Sequence, residues 1–304
     1  MTIRAIDLFA GAGGTSTGAR SVGVHVVAAV DHWGEAVATH ALNHPEAAHV
    51  CQDIASVDPT SMPAHDIMLA SPSCVGHTRA RGGEKSHHDA CRATADDVLR
   101  FAEANRPRAV VVENVPEMMR WARYRSWRMG WSDLGYRVSE QVIDAADAGV
   151  PQNRRRLFVV ASLTRRPIVV PQPMQRHVTA RECIDIDTSH GKWSRWSEWC
   201  EATRVRCVSG RARFGESFVA AYYGANESGR SLDRPIGTLT TVERYAVIVG
   251  DLARMLTLDE MVRLSSFPAD YAFTGTKRDR VKMLGNSVPP LLAAHVIGSV
   301  ARAL

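Results

Sequence analysis

The chain has 304 residues, 45% hydrophobic and 23% charged, with a formal net charge of +5. That length suits one large domain plus a smaller one around a sizeable core, and the mild basic excess admits an anionic partner without establishing one. No apolar stretch approaches the roughly 20 residues of a membrane-spanning helix, and MTIRAIDLFAG enters a strand-like run with no basic, cleavable leader. A cytoplasmic protein with no membrane partner, acting as a monomer, is expected. The six cysteines, at 51, 74, 91, 183, 200 and 207, form no Cys-x-x-Cys pair, which argues for free thiols. Cys183, His190, Cys200 and Cys207 are spaced unlike the common zinc modules, so no metal is expected.

In chain order, RAIDLF, HVVAAVD, HDIMLA, RAVVVENV and RLFVVAS are apolar runs without strict polar alternation. Such runs suit strands buried on both faces of a parallel sheet. Between them, Gly34–Asn43, Asp89–Asn105 and Arg120–Leu134 are predicted helices. In the last, Trp121, Tyr124, Trp127, Trp131 and Leu134 recur every three or four residues, a stripe suited to packing one helix face onto the sheet. The alternation of strand and helix predicts an α/β fold with a doubly wound, mostly parallel, Rossmann-like sheet. After Pro171 the periodicity fades. From Leu163 to Asp233 there are eleven basic residues against eight acidic ones, and tryptophans recur in KWSRWSEWC. Trp193, Trp196 and Trp199 suit the core of a small domain. The pattern divides the chain into residues 1–170 plus 281–304, closing on a helix after Pro289-Pro290, and a smaller part over 171–280.

Chemistry gathers at the predicted strand ends. DLFAGAGG, Asp7 to Gly14, runs a strand into a glycine-rich turn and a helix. That is a nucleotide-fold signal, although Gly11-Ala12-Gly13-Gly14 departs from the GxGxxG of dinucleotide sites. Asp31 closes the second strand, where a carboxylate can accept ribose hydroxyls, and Asp53 repeats the arrangement after a third possible strand. Cys74 follows a strand and Pro72, in a loop carrying His77, Arg79, Arg81 and several glycines. A helix start and nearby arginines would lower its pKa and supply thiolate, and the glycines would permit a closing lid over residues 76–83. Glu113 and Asn114 end a run of valines, where burial would raise the acid's pKa and help it hold a proton. Arg154, Arg155 and Arg156 stand immediately before the last apolar strand.

Cysteine, then ENV, then QNRRR, with DLFAGAGG before and GNSV near the end, resembles the ordered motif set of DNA (cytosine-5) methyltransferases over nearly the whole chain. RPIGTLTT resembles the motif beside that family's target-recognition region, and LTLDEMVRLSSFPADYAFTG its closing segment. The resemblance implies S-adenosylmethionine as methyl donor, held by Phe9, Gly11, Gly13, Asp31, Asp53, Asn286 and Ser287. It implies double-stranded DNA as partner, with Cys74 as attacking thiolate and Glu113 contacting N3 and the exocyclic amine of cytosine. Arg156 would hold O2, and Arg154 would order the catalytic loop. It makes 1–170 plus 281–304 the catalytic and cofactor-binding domain, and 171–280 the target-recognition domain with its return segment. Two departures stand out: Ser73 replaces the family's proline before the cysteine, with Val75 after it, and Asp31 replaces a longer glutamate. An RNA cytosine-5 methyltransferase and a catalytically silent DNA-binding relative are the alternatives.

Overall fold

Residues that alternate between two buried faces build the main sheet. The computed structural model describes residues 2–75, 77, 88–222 and 229–304. Its strands β1 (Arg4–Leu8), β2 (His25–Asp31), β3 (Ala48–Cys51), β4 (Ile67–Ala70), β5 (Ala109–Asn114), β6 (Arg137–Asp144) and β7 (Arg155–Ser162) lie in the order β3-β2-β1-β4-β5-β7-β6. Pairs from β3 to β5 are parallel, whereas β7 runs antiparallel to both its neighbours. Ala5, Ile67, Leu69 and Val111 face α1 (Gly14–Ser21) and α8 (Pro290–Ala303). Ile6, Leu8, Met68 and Val112 face α3 (His88–Asn105) and α4 (Tyr124–Asp133). This is the doubly wound α/β arrangement that the continuous apolar runs imply.

Two boundaries differ from expectation. The helix expected over Arg120–Leu134 begins only at Tyr124, because Pro116 opens a separate 3-10 turn and Trp121 then takes extended geometry. The aromatic stripe packs as expected, with Tyr124, Trp127 and Trp131 buried against the sheet. Strand β6 comes from RVSEQVID, which the sequence reading did not pick out; its largely polar, half-buried residues suit the edge position it takes.

A second, antiparallel sheet follows. Strands β8 (Ser194–Arg195), β9 (Ser217–Ala221), β10 (Arg230–Ser231), β11 (Tyr245–Val249) and β12 (Leu252–Met255) lie in the order β10-β9-β11-β12-β8. One face packs on α5 (Glu201–Phe214) through Cys207 and half-buried Trp196 and Trp199. The other meets α6 (Leu258–Leu264), α7 (Lys277–Asn286) and the rings of Phe267 and Tyr271. Helix α5 leaves no apolar signature because it buries Thr203, Cys207 and Gly210, which are small or polar. By length and composition Lys277–Ala303 would pass for a membrane span, but 72% of its most apolar 18-residue window is buried within the fold.

Candidate active site

The chain fills β1 to β3 on one side, then returns so that β4 pairs with the other side of β1. This order reversal opens a crevice at the carboxyl ends of β1 and β4, where open α/β sheets take their ligands. The glycine-rich turn leaves β1 there, and the Cys74 loop leaves β4. Thr15, Ser71, Glu113 and Val288 line one small void, so the two halves of the crevice meet. A larger cavity of about 540 Å³ lies beyond the far end of β7, lined by Arg165, Arg166 and Arg302. It contains none of the residues singled out by sequence.

On the β1 side, Phe9, Gly11 and Gly13 all have positive φ. Gly11 donates its N–H to Asp31 Oδ2 at 2.9 Å, and Trp33 donates its own to Asp31 Oδ1 at 2.8 Å. The end of β2 is thus tied to the turn. The two glycines serve different ends. A side chain at Gly11 would meet nothing within 4 Å, so that edge is open to a ligand. At Gly13 a Cβ would stand 2.6 Å from Tyr271 Oη, so this glycine is required by the protein's own packing. Asp53 is exposed and caps a short 3-10 turn by accepting from Ala55 N–H at 3.0 Å. Ser287 donates its hydroxyl to the Met283 carbonyl at 2.7 Å, and Asn286 is exposed beside it at the end of α7. The next residue, Val288, abuts Gly14, which brings this segment to the turn.

On the β4 side, Cys74 is half-buried among Glu113, Arg154 and Arg156. Burial pushes its thiol above the ordinary range; Arg156 pulls it down, Glu113 pushes it up and Arg154 pulls it down. The expected lowering is therefore reversed, because loss of water outweighs the two guanidiniums. Arg156 Nε contacts Glu113 Oε1 at 2.8 Å, and both side chains are about nine-tenths covered. Burial nevertheless raises the Glu113 pKa against the pull of Arg156 and Arg154. Asn114 Nδ2 donates to the Pro72 carbonyl at 3.0 Å and so fastens the cysteine loop to the end of β5.

The guanidinium of buried Arg154 hydrogen-bonds the carbonyls of Leu239 at 3.2 Å and Gly285 at 2.9 Å. These bonds hold the RPIGTLTT segment and α7 to the start of β7. Burial and the charge of Arg156 bring the Arg154 pKa down to about 9, which leaves it cationic at neutral pH. Ser73 donates its N–H to Thr94 Oγ1 at 3.2 Å and accepts at Oγ from Val75 N–H at 3.3 Å. A proline at this position would lack the first of these bonds. Of the stretch read as a lid, only His77 lies among the described residues; Arg79 and Arg81 lie outside them. His77 donates its N–H to the Cys74 carbonyl at 3.0 Å, and its ring meets Trp121 edge-on at 5.6 Å.

Sequence reading gave Thr94, His40, His44 and Tyr271 no role, yet all touch the crevice loops. Two histidines four apart, at the last turn of α2 (Gly34–Asn43) and its C-cap, are the sequence signal that points to His40 and His44.

Known proteins match the chain over nearly its whole length. The family model for C-5 cytosine-specific DNA methylases matches residues 3–302. The Type II methyltransferase M.HgiDI of Herpetosiphon aurantiacus is 29% identical over 323 residues, covering 98% of this chain and 94% of its own. The Type II methyltransferase M1.HphI of Haemophilus parahaemolyticus is 27% identical, with 99% and 87% covered. Among solved structures, a protein described as a DNA modification methyltransferase of an E. coli prophage aligns with a TM-score of 0.74 at 20% identity, covering 99% of both chains. S. pombe Dnmt2 methyltransferase aligns at 0.69 and 18%, again over 99% of both. At these identities the two structures speak for the fold.

Proposed function

The chain belongs to the C-5 cytosine-specific DNA methylase family, and from that premise we propose that it transfers a methyl group from S-adenosylmethionine to C5 of a cytosine swung out of duplex DNA. The observation that carries this reading is the convergence of Cys74, Glu113 and Arg156 at one edge of the sheet, beside the switch-point turn.

The crevice fits the cofactor. Gly11 faces open space, the Asp31 carboxylate stands at the end of β2, and the N-terminus of α1 opens behind the turn. Phe9, Gly11, Gly13, Asp31, Asp53, Asn286 and Ser287 would hold it. Each oxygen of Asp31 already takes one backbone N–H, so its remaining lone pairs are the ones left for ribose hydroxyls. When bound, S-adenosylmethionine supplies an electrophilic methyl on a sulfonium.

Cytosine C5 is a weak nucleophile, and addition of the Cys74 thiolate to C6 converts the ring into an enamine that is reactive at C5. The bond from sulfur to C6 would form first, and C5 would then take the methyl as its bond to the donor sulfonium breaks, leaving neutral S-adenosylhomocysteine. Loss of the C5 proton to water or another base expels the thiolate and restores the ring. Glu113, whose pKa burial raises, would take up a proton once Arg156 turns away from it and share that proton with N3, neutralising charge building on the ring. Arg156 would turn from Glu113 towards O2. A thiol cannot reach C6 in a stacked duplex, so the base must be extruded. Residues 1–170 plus 281–304 would perform catalysis and cofactor binding, and 171–280 would read the DNA.

The test supplies labelled S-adenosylmethionine with duplex DNA and, separately, RNA. The expected result is label on C5 of cytosine in DNA, lost in Cys74→Ser with DNA affinity largely kept. Undiminished transfer by that variant overturns the mechanism, and label in RNA alone overturns the substrate. Bisulfite sequencing of DNA from expressing cells reads out the recognised context.

A further inference from the structure

Beneath the glycine-rich turn lies a buried polar layer that catalysis does not explain. Tyr271 Oη stands 2.5 Å from the Ala12 carbonyl and 3.4 Å from His44 Nε2. A carbonyl only accepts, so the phenol donates to Ala12 and accepts from His44. Thr17 Oγ1 donates to the Gly13 carbonyl at 2.7 Å and lies 3.1 Å from the same His44 nitrogen. His44 must therefore carry its proton on Nε2 and share it between the two hydroxyls. Its Nδ1 then carries no proton; that atom has no hydrogen-bond partner and lies 3.8 Å from Glu46 Oε1. On the other flank, Ser16 Oγ donates to Asp7 Oδ2 at 2.7 Å and accepts from His40 Nε2 at 3.0 Å. Burial lowers His44 to about 4 and His40 to about 3, and raises the Tyr271 phenol, so all three are neutral hydrogen-bonding groups near pH 7.

The turn needs such support. Phe9 occupies the left-handed region, where a residue with a side chain persists only if the surroundings over-determine it, and Gly11 and Gly13 share that region without strain but with many other conformations open to them. Two of its carbonyls, Ala12 and Gly13, are held from below by Tyr271 and Thr17, which leaves the Gly11 edge facing the crevice. Packing alone does not require the hydroxyl of Tyr271. Its ring already lies 4.7 Å from that of Phe267 and 5.3 Å from that of Phe273, in the core beneath the second sheet.

We propose that Tyr271 is a positioning residue for the cofactor turn: its hydroxyl, backed by His44 and Thr17, fixes the Ala12–Gly13 peptide so that the turn is shaped before S-adenosylmethionine arrives. The inference rests on the methyltransferase reading above. It also means that the core carrying the proposed DNA-reading sheet reaches into the cofactor turn through one phenol.

Tyr271→Phe keeps the ring and removes the donor. The dissociation constants of S-adenosylmethionine and S-adenosylhomocysteine are measured by calorimetry, with KM for each substrate, kcat at saturation and the melting temperature. The expected result is roughly tenfold weaker cofactor binding and a matching rise in cofactor KM, the scale of one lost buried hydrogen bond. The KM for DNA and kcat at saturating cofactor should stay within twofold. Thr17→Val, which releases the neighbouring carbonyl, should shift the same constants in the same direction. Cofactor affinity within twofold of the unmodified protein in both variants overturns the proposal and leaves the methyltransferase reading intact. So do equal losses in kcat and DNA KM, which would mark general damage. Failure of the unmodified protein to bind S-adenosylmethionine removes both together.

Discussion

The two halves of the crevice use their polar groups differently. On the side of β1 and β2 the protein binds its own turn: Gly11 N–H is taken by Asp31, and the Ala12 and Gly13 carbonyls by Tyr271 and Thr17. On the side of β4, β5 and β7 the reactive groups face one another, Glu113 paired with Arg156 and Cys74 lying in the field of both. The first half is a finished scaffold whose shape precedes its ligand. The second is an arrangement that a bound base would re-partner, since Glu113 now holds the Nε of Arg156. Substitutions in the first should therefore act on stability and cofactor affinity, and those in the second on rate.

Glu113→Gln should break the second half alone. It keeps the shape and a hydrogen-bond donor but removes the transferable proton, so kcat should fall by about 10²–10⁴, the usual worth of a positioned acid. Cofactor affinity, measured by calorimetry, should stay within about twofold. A comparable loss in both quantities would erase the distinction between the halves.

Gly14→Ala strikes the scaffold. The added Cβ would stand 2.2 Å from the Val288 carbonyl oxygen, a backbone atom that cannot swing aside. Overpacking of this kind costs about 1–3 kcal/mol, to be read as a lower urea midpoint, with turnover of the folded fraction at saturating cofactor largely retained. Unchanged stability would mean that the turn and the Val288 segment move independently.

The same contrast governs what the sequence disclosed. β1, β2, β4, β5 and β7 were legible because both faces are buried, which leaves unbroken apolar runs. Edge strand β6 and helix α5 were not, since one has half its surface free and the other buries Thr203, Cys207 and Gly210. Cys74, Glu113 and Arg156 stood out because a reactive residue just after, at the end of or just before an apolar run is conspicuous. The layer under the turn was invisible for a different reason. Tyr271 and Ala12 are 259 residues apart, and no local pattern encodes a contact of that range. The carbonyl partners of Arg154 were hidden likewise, because they lie 85 and 131 residues away. For the Cys74 thiol the sequence displayed the arginines but not the burial, so it predicted the shift with the wrong sign.

That thiol allows the finest test of how the reactive groups act on one another. After burial, the strongest influence on Cys74 is the downward pull of Arg156, followed by the upward push of Glu113. Only thiolate reacts with iodoacetamide, so below the thiol pKa the alkylation rate rises with pH and falls as that pKa climbs. Arg156→Gln removes the pull while leaving the carboxyl in place, so the midpoint should move up and alkylation at pH 8 should slow. Glu113→Gln removes the push, so the midpoint should move down and alkylation at the same pH should quicken. Mass spectrometry of the Cys74 peptide separates this thiol from exposed Cys51 and Cys200. The effect of one charge on a half-buried neighbour is modest, but its sign is diagnostic. Opposite shifts mean that the pair acts on the thiol through its field; shifts in one direction mean that each substitution merely opens the loop to reagent, and the reactive half would then be as rigidly pre-formed as the scaffold beside it.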